Sequence, residues 1–550
     1  MPRSIASRLW LWLFIVALGL AFLVGLNSWG PLESSEARYA EIGREMLTGQ
    51  DWLHPRLLGI QHFHKPPLTY WLTAAGLALA NHSALGARLL TVLAVLLQVY
   101  LVYAVGLLLF AGDRARALGA AVIYGTLPVV LISALNVTTD AYLATLELAA
   151  AYGILRYYHD GRRWALYLFW VGLGLAFLTK GPVGFVLPLM AVIGFYFKRE
   201  QARRPFTWHH AVGIGLFVLV GLSWYIYLVL ENPVFIRYFL YEHTVERFAN
   251  AATFHRSKPW WFYLVLAPAT SLPWSVALVT QVVRTRWATV PQQWRNVLIF
   301  WVVVPLVFFS LSSSKLLLYV LPVFPGVALL TAYYLGRCTD GALERWYGGF
   351  GILYGLILAA LCVLPLLAID SKFPLEIAPF TAIWPAAGVV LIVATLVLWD
   401  EVRMAPRLLM LPALFTVVLL LAAKPILRQN ELLFNGSRPL AELLQEYHLT
   451  QRPVLIYNEL LPSLAFATGR LPVSLYDGND ALARETQFEP TNAWQQNLLN
   501  LRDTQQEPTL DSLLRQHPAL LVKGDLPDSR KSLLRYTQYQ KKAGKWTLYW

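Results

Sequence analysis

Long apolar segments alternate with short polar segments along most of the chain. A helix needs roughly 20 apolar residues to cross the hydrocarbon core of a bilayer. The pattern predicts thirteen spanning helices, at about 9–27, 84–111, 115–134, 140–157, 164–179, 181–197, 208–230, 260–283, 295–312, 316–336, 348–369, 378–399 and 405–423. A charged break at Lys180-Gly181-Pro182 separates the fifth span from the sixth. Residues 66–81 are also apolar, but they are few, and we interpret them as interfacial.

The basic residues predict how these spans are oriented. Lys and Arg collect in the cytoplasmic loops of membrane proteins. With a cytoplasmic N-terminus, every predicted inner loop is basic, through Arg114, Arg116, Arg162, Arg163, Lys198, Arg199, Arg203, Arg204, Arg284, Arg286, Arg337, Arg345, Arg403 and Arg407. The same orientation puts residues 28–83, and everything after residue 423, on the outer, periplasmic-type face.

From Lys424 onward the composition is that of a soluble domain. Short apolar runs typical of buried strands alternate with helical patterns, which predicts a small α/β fold. The strands are expected at 453–457, 471–475 and 518–522, and the helices at 437–448 and 509–515. The predicted fold class is a polytopic α-helical membrane protein with a C-terminal soluble α/β domain. Its transmembrane domain covers 1–423, with interfacial helices in 33–83, and its periplasmic α/β domain covers 424–550.

Composition excludes several classes of protein. Charged residues make up 14% of the chain, against about 25% in a typical soluble domain. The net charge of +13 arises in short loops, where it sets topology and meets lipid headgroups rather than nucleic acid. Cys338 and Cys362 fall in different predicted segments, so we expect no disulfide and no cysteine metal site. No phosphate-binding glycine motif is present, which disfavours a nucleotide-driven pump.

The segment 33–67 concentrates ionisable residues directly after the first predicted span. In a chain with so few charges, such a concentration beside a bilayer indicates a functional site. Residues 38–50 have the spacing of an amphipathic interfacial helix. The solvated face of that helix is predicted to carry Glu41, Arg44, Glu45 and Gln50.

This segment contains three candidates for catalysis or substrate binding: Glu33, Glu36 and Lys65. Glu33 and Glu36 either cap the following helix or present a carboxylate to a reaction centre. The two prolines that follow Lys65 restrict its backbone to an extended conformation. This lysine either snorkels to the interface or anchors a lipid phosphate, since an ammonium is a compact phosphate partner.

Other predicted outer connections also carry ionisable groups. Asp140 begins a helix after Thr138 and Thr139, where it either caps that helix or acts as an acid or base. The loop 231–259 carries Glu242, Glu246 and Arg247, which an i,i+4 salt-bridge pattern also explains. Further candidates on these connections are Lys180, Tyr241, His243, Lys315 and Tyr319.

The distribution of charge favours an enzyme over a channel or transporter. A channel or proton-driven transporter would carry charged groups within its spans or near the bilayer midplane. The predicted spans are nearly free of charge apart from Glu147, and charge gathers at one interface. That distribution suits a substrate that stays in the membrane and presents a phosphate at its surface.

Several ordered motifs resemble the aminoarabinose transferases of glycosyltransferase family 83, which have the GT-C fold. They are EARYAEIGREM with DW at 36–52, HKPPLTYW at 64–71, TTD at 138–140, LTKGP at 178–182, EHxxxRF at 242–248 and SSSKLxxYxLPxxP at 312–325. The resemblance covers the whole chain, including about thirteen spans and the C-terminal domain. Two positions depart from the family pattern: Ser35 replaces an acid, and His64 replaces a common Glu.

The resemblance implies an inverting transfer of 4-amino-4-deoxy-L-arabinose from undecaprenyl phosphate to lipid A phosphate, which confers polymyxin resistance. It places the reaction at the periplasmic face of a bacterial inner membrane. By this resemblance Lys65 and Arg247 would hold the carrier phosphate, Asp140 with Glu33 or Glu36 would orient donor and acceptor, and Tyr319 would line the cavity. Further substrate contacts are predicted for Arg38, Tyr39, Tyr70, Lys180, Tyr241, His243 and Lys315.

Cofactor, partner and function alternatives stay open at this stage. No cofactor is required, although His64 and His243 are candidate ligands of a divalent metal ion. Membrane lipids are expected partners, nucleic acid is not, and a monomer is expected. One alternative is a transferase that acts on a protein or glycan hydroxyl, like protein O-mannosyltransferases. An alternative of another class is a lipid-linked sugar flippase.

Overall fold

The computed structural model describes residues 3–196, 206–239, 258–367, 375–398, 404–479, 482, 484 and 486–550. By its contacts the chain divides into two units. The first joins Met1–Val24 to Thr91–Ala423, and the second joins Gly25–Leu90 to Lys424–Trp550. The outer segment after the first helix thus packs with the C-terminal domain.

The described part of the chain is mostly helical. In chain order its α-helices are α1 Arg3–Leu23, α2 Ser35–Gly49, α3 Leu68–Leu79, α4 Ala84–Leu109, α5 Arg114–Gly125, α6 Pro128–Ala134, α7 Thr139–Asp160, α8 Arg163–Lys180, α9 Val186–Tyr196, α10 Trp208–Phe217, α11 Ser223–Glu231, α12 Val234–Arg237, α13 Phe262–Ala269, α14 Trp274–Arg284, α15 Gln292–Asn296, α16 Val304–Leu311, α17 Phe324–Leu335, α18 Asp340–Leu367, α19 Ile383–Leu398, α20 Met404–Gln429, α21 Arg438–Glu446, α22 Pro462–Thr468 and α23 Glu507–Leu514. Local signals set several of these ends. Asp113 caps α5 through the amides of Ala115 and Arg116, and Gly161 ends α7 at a φ of 74°.

The number of spans differs from the prediction. Within the described residues, eight helices are long and apolar enough to cross a membrane, or up to ten if each of two bent pairs is one span. The predicted total of thirteen is not confirmed. One reason is bending: α13 and α14 meet at 109°, and α5 and α6 meet at 64°. Prolines lie at these breaks, and a proline cannot donate the next helical hydrogen bond.

The chain folds back on itself after Lys180. Gly181 adopts a φ of 72°, which a residue without Cβ reaches at no steric cost. A 3-10 segment, Gly181–Phe185, then leads into α9. A Cβ on Gly184 would lie 2.8 Å from the carbonyl carbon of Ala176. The reversal brings this 3-10 segment back against the end of α8, and α9 then packs on α7.

The second unit contains a six-stranded sheet. Its strands are β3 Val454–Tyr457, β4 Val473–Tyr476, β5 Leu498–Asn500, β6 Ala519–Lys523, β7 Gln540–Ala543 and β8 Trp546–Tyr549, after a short hairpin of β1 Arg56–Leu57 and β2 Ile60–Gln61. The sheet order is β5-β4-β3-β6-β8-β7. Strands β3 to β6 pair in parallel, and β7 and β8 add an antiparallel edge. The predicted strands β3, β4 and β6 and helices α21 and α23 are confirmed, whereas β5, β7 and β8 were not predicted.

Apolar side chains cover both faces of this sheet. One face packs against α21 and α22 through Leu444, Ile456 and Leu464. The other face packs around Leu455 and Leu520. Strands buried on both faces are typical of parallel sheets in α/β proteins.

The predicted solvated face of α2 is wrong for Glu41, Arg44 and Glu45, whereas Gln50 is exposed as predicted. Glu41 is fully buried, and its carboxylate accepts hydrogen bonds from Arg44 at 2.6 and 2.8 Å. Glu45 accepts from the backbone amides of Leu58 at 2.6 Å and Gly59 at 2.8 Å. The charges of this helix therefore serve internal contacts of the second unit, because each buried carboxylate has a nearby donor.

Candidate active site

The first unit brings three predicted site residues together. Nζ of Lys180 donates to Oδ1 of Asp140 over 2.5 Å. The same Nζ lies 3.8 Å from the ring centroid of Tyr319, in cation–π geometry. The side chains of Lys180 and Asp140 are 9% and 8% exposed. Asp140, Lys180 and Tyr319 form the cluster that we call the acid–lysine–tyrosine cluster.

Three chain turns place this cluster. Asp140 lies in the first turn of α7, where the positive end of the helix dipole stabilises a carboxylate. Lys180 is the last residue of α8, directly before the glycine that reverses the chain. Tyr319 lies in a 3-10 segment, Leu317–Val323. Because these residues are far apart in the chain, the sequence shows them only as separate motifs.

Tyr263 supports the segment that carries Tyr319. Its hydroxyl donates to the carbonyl oxygen of Leu316 at 2.8 Å and accepts from the amide of Leu316 at 3.2 Å. Sequence reasoning missed this residue. Its only signal was an aromatic side chain with a polar tip in an apolar segment.

Lys315 is buried beside this segment. Its ammonium donates to the carbonyl oxygens of Ser312 at 2.5 Å and Lys258 at 3.0 Å. Burial lowers the pKa of this lysine, because desolvation disfavours the charged form. These contacts tie two loops together, and the predicted role of Lys315 in substrate binding stays a prediction.

Buried polar atoms without a hydrogen-bond partner lie on the connections that carry the cluster. Within the described residues these include Oδ1 of Asn136, Oγ1 of Thr138 and Oγ of Ser314. Thr138 is the N-cap residue of α7, yet its side chain makes no capping hydrogen bond. Buried polar groups are normally satisfied, so these atoms are suited to bind polar groups of a ligand.

In the second unit, Glu36 forms a buried ion pair with Arg88. Nε of Arg88 donates to Oε1 of Glu36 at 2.7 Å and Nη2 donates to Oε2 at 2.8 Å. Both side chains are almost fully buried. The guanidinium also donates to three carbonyl oxygens, those of Leu26, Trp29 and Gly30. This arrangement favours a structural role for Glu36, and its catalytic role stays a prediction.

Arg88 is a residue that the sequence analysis overlooked. It lies within the predicted span 84–111, although we expect the spans to be nearly free of charge apart from Glu147. A lone arginine near the start of an apolar segment is rare and indicates a specific partner. The sequence alone therefore shows that Arg88 needs a partner. It does not show that this partner is Glu36, 52 residues away.

Glu33 contacts the C-terminal domain within the same unit. One carboxylate oxygen accepts from the backbone amide of Ser463 at 2.8 Å, at the start of α22. Burial raises the pKa of Glu33 to about 7, and Ser463 and Arg38 oppose this shift. A carboxyl group with such a pKa can act as an acid or a base near neutral pH.

The remaining predicted residues of this unit lie around α2 and α3. The rings of Tyr39 and Tyr70 are buried with their centroids 5.5 Å apart. Arg38 and Lys65 are half-buried. The rings of His62 and His64 are 4.1 Å apart. The structure thus groups the tyrosines, and the substrate-binding roles of these residues stay predictions.

Three predicted residues, Tyr241, His243 and Arg247, lie outside the described residues. The proposed metal pair of His64 and His243 is therefore not tested. Over the ranges that the structure describes, no group of three or more His, Cys, Asp or Glu residues could hold a metal ion.

Comparison with known proteins relates this geometry to a family. The sequence profile of the dolichyl-phosphate-mannose-protein mannosyltransferase family matches residues 27–239. An undecaprenyl phosphate-alpha-4-amino-4-deoxy-L-arabinose arabinosyl transferase of Pseudomonas paraeruginosa is 32% identical over 484 residues, covering 84% of this chain and 84% of the relative. A transferase of the same name from Sodalis glossinidius is 31% identical over 496 residues, covering 87% and 86%.

A solved structure has the same fold. ArnT from Cupriavidus metallidurans, bound to undecaprenyl phosphate, matches with a TM-score of 0.77 and 22% identity over 98% of this chain and 97% of that one. The fold and the relatives at 31–32% identity together define a multi-pass membrane glycosyltransferase of the GT-C type. Within that class, the chain belongs to the family of undecaprenyl phosphate-4-amino-4-deoxy-L-arabinose arabinosyl transferases.

Proposed function

We propose that this protein transfers 4-amino-4-deoxy-L-arabinose from undecaprenyl phosphate to a phosphate of lipid A. The relatives that carry this name match the chain over more than four fifths of its length. The observation that carries the chemistry is the buried acid–lysine–tyrosine cluster, in which the Lys180 ammonium is held by Asp140 and the ring of Tyr319. An ammonium in a protected site is suited to a phosphate group.

The proposed reaction is a single displacement. An oxygen of the acceptor phosphate forms a bond to C1 of the sugar, and the bond from C1 to the carrier phosphate oxygen breaks. The carrier phosphate leaves with the bonding electrons, and the configuration at C1 inverts. The acceptor is already an anion and needs no strong base, so alignment and charge stabilisation are the main contributions of the protein.

Roles for the cluster follow from this scheme. Lys180 exchanges part of its contact with Asp140 for an oxygen of the departing phosphate, and so offsets the negative charge that develops there. Asp140 then orients the ammonium of Lys180 or the amino group of the sugar. The unpartnered oxygens of Asn136, Thr138 and Ser314 are suited to the sugar hydroxyl groups. By family resemblance Lys65 and Arg247 are proposed to bind the carrier phosphate.

The membrane location belongs to the same proposal. The basic inner loops support a cytoplasmic N-terminus and a periplasmic C-terminal domain in a bacterial inner membrane. A monomer suffices for the proposed chemistry, because Asp140, Lys180 and Tyr319 come from one chain.

Mass spectrometry of lipid A tests this proposal. Cells that carry the gene are expected to contain lipid A with an added aminopentose, and cells without it are not. Complementation with the wild-type gene should restore the species, and complementation with the Lys180→Ala variant should not. Lipid A of unchanged mass in all strains would contradict the proposed acceptor or sugar.

A second candidate function is transfer of a sugar to a hydroxyl of a protein or glycan. The match to the protein mannosyltransferase profile over residues 27–239 favours it. A hydroxyl acceptor must lose a proton, so a base is required. Glu33, with its pKa raised to about 7, and Asp140 are the candidates. Glycopeptide analysis of the same strains would show gene-dependent glycosylation under this function.

A further inference from the structure

Glu489 is an acid of the C-terminal domain that the proposed reaction does not use. It directly follows the 3-10 segment Thr486–Phe488, and its side chain is only 5% exposed. Its Oε1 accepts hydrogen bonds from the backbone amide of Gln61 at 2.6 Å and from Nη1 of Arg56 at 3.1 Å. Arg56 and Gln61 are paired opposite each other in the hairpin of β1 and β2. One carboxylate therefore holds both strands at the open end of this hairpin.

The C-terminal domain also contacts the rest of the hairpin. Nη1 of Arg484 donates to the carbonyl oxygen of Leu57 at 2.9 Å. On β2, the fully buried side chain of Ile60 packs with Leu482 and Leu498. Polar and apolar contacts thus fix the hairpin on this domain from its turn to its open end.

The chain that leaves β2 is held by the same part of the domain. The amide of His62 donates to the carbonyl oxygen of Pro55 at 2.7 Å. The next side chain, Phe63, is buried, and its ring meets that of Phe488 edge-on, with the centroids 5.3 Å apart. Phe488 directly precedes Glu489. Two consecutive residues of the C-terminal domain therefore hold the chain at positions 61 and 63.

Lys65 lies two residues beyond this attachment. Its Cα can be at most about 7 Å from that of Phe63, because each residue extends the chain by no more than about 3.6 Å. On its other side, Pro66 and Pro67 restrict the backbone and lead into α3, where Tyr70 is fully buried. Lys65 is thus a short segment between two fixed points, and one of them is set by the C-terminal domain.

We propose that Glu489 is a positioning residue, which fixes the hairpin on the C-terminal domain and thereby sets the place of Lys65 for binding the carrier phosphate. The proposal rests on the proposed role of Lys65. Glu489 lies in none of the motifs that carry the family resemblance, and it acts through the chain without touching the substrate. The affinity for the lipid carrier then depends on the C-terminal domain.

Binding of undecaprenyl phosphate to the purified full-length protein in detergent tests this proposal. Glu489→Ala is expected to raise the Kd about tenfold, because small errors in the placement of a binding group are costly. Glu489→Gln keeps an oxygen that can accept from the amide of Gln61, so its Kd should stay within about threefold of the wild type. A Glu489→Gln protein as impaired as Glu489→Ala would contradict positioning through this hydrogen bond.

Asp511→Ala is the matched control. Asp511 is an acid of the same domain and pairs with Arg515 at 3.0 Å in a more exposed setting. Its removal should leave the Kd for undecaprenyl phosphate unchanged. A tenfold rise in Kd for this variant as well would show that loss of any ion pair in the domain has the effect, and would overturn the proposal.

A double-mutant cycle with Lys65 separates positioning from a general structural role. Lys65→Ala alone should raise the Kd by about tenfold to a hundredfold, the value of a hydrogen bond to a charged group. In the Lys65→Ala background, Glu489→Ala should add less than about twofold, because residues that act through one contact are not additive. The same tenfold factor in both backgrounds would overturn the proposal, and so would an unchanged Kd for a folded Glu489→Ala protein. If Glu489→Ala does not fold, Phe488→Leu enters the same cycle, and the same outcomes decide.

Failure of this proposal is distinguishable from failure of the proposed function. If Lys65→Ala leaves the Kd unchanged, the proposed role of Lys65 fails, and the positioning role fails with it. If Lys65→Ala weakens binding and Glu489→Ala does not, only the proposal for Glu489 fails. If the cycle gives the expected result but lipid A is not modified, the proposed acceptor fails and the positioning role stands.

Discussion

Lys180 donates to Asp140 over 2.5 Å, from the end of one helix to the start of another, in surroundings that leave less than a tenth of either side chain exposed. Water screens such a pair poorly, so removing either charge leaves the other one buried and unpaired. The aromatic face of Tyr319 lies beside the same ammonium. The pair is a structural contact, and in the proposed reaction its ammonium is also the group that binds the departing phosphate.

Neutralising the pair should separate its two roles. Asp140→Asn or Lys180→Met alone leaves a buried charge unpaired, which is expected to cost about 3–5 kcal/mol in the free energy of unfolding. The double variant removes both charges and should recover most of the stability, measured by thermal unfolding. Sugar transfer by the double variant should remain at least about a hundredfold below wild type.

Asp160→Asn is a control for this prediction. Asp160 ends the same helix and pairs with Arg156 at 2.8 Å, far along α7 from Asp140. Its transfer activity should match the wild type. A double variant at Asp140 and Lys180 with normal transfer would show that the pair serves folding alone.

Removing the Glu36 carboxylate should lower the stability of the protein, because the contacts of this residue favour a structural role over a catalytic one. In a Glu36→Gln variant, the buried guanidinium of Arg88 loses its counter-ion, which is expected to cost about 3–5 kcal/mol. Thermal unfolding in detergent measures the loss. The paired replacement Glu36→Leu with Arg88→Met should recover part of it. A Glu36→Gln protein with normal stability and no activity would instead restore Glu36 as a catalytic residue.

Glu33 should make stability depend on pH. Its pKa rises from 4.5 to about 7 on folding because the carboxyl group is buried, so the folded protein holds this proton more tightly than the unfolded chain. Stability from this group is present below pH 4.5 and declines as pH rises to 7. A Glu33→Gln variant should lack that decline in unfolding temperature, and exposed Glu442→Gln should retain it. Identical pH profiles for wild type and Glu33→Gln would contradict the raised pKa.

Asp477 should have the opposite effect at lower pH. Hydrogen bonds from Arg530 at 2.8 and 2.9 Å, with further bonds from Tyr457 and Arg502, lower its pKa from 3.8 to about 2. Stability from Asp477 is therefore present above pH 3.8 and is lost as pH falls toward 2. Unfolding followed between pH 4 and 2 should be steeper for the wild type than for Arg530→Met. Equal slopes would show that the contact with Arg530 does not lower this pKa.

Local patterns predicted much of the fold but not its long-range pairings. The strands at 454–457 and 519–523 followed from short apolar runs with turn residues at their ends, and Asp140 and Lys180 from their place at predicted helix ends. The buried partners of Glu36 and Glu41 did not follow. A charged residue on a helix looks solvated until its donor is known, and for Glu36 that donor is distant in sequence.

The division of the chain into two units also could not be predicted from local patterns. Residues 25–90 follow a membrane helix, which made interfacial helices the natural expectation. Their contacts with residues 424–550 arise from bonds such as Glu33 to Ser463 and Arg56 to Glu489. Such pairings over 400 positions leave no periodic signal in the sequence.

Transfer by the purified protein would show whether this chain moves aminoarabinose from its lipid carrier to lipid A. The full-length protein in detergent would be incubated with undecaprenyl-phosphate-linked aminoarabinose and lipid A, and the products analysed by mass spectrometry. We expect lipid A that has gained one aminopentose, free undecaprenyl phosphate in equal amount, and neither product with the Lys180→Ala variant. Product formation at the wild-type rate by a folded Lys180→Ala protein, or no transfer by the folded wild type, would contradict this expectation.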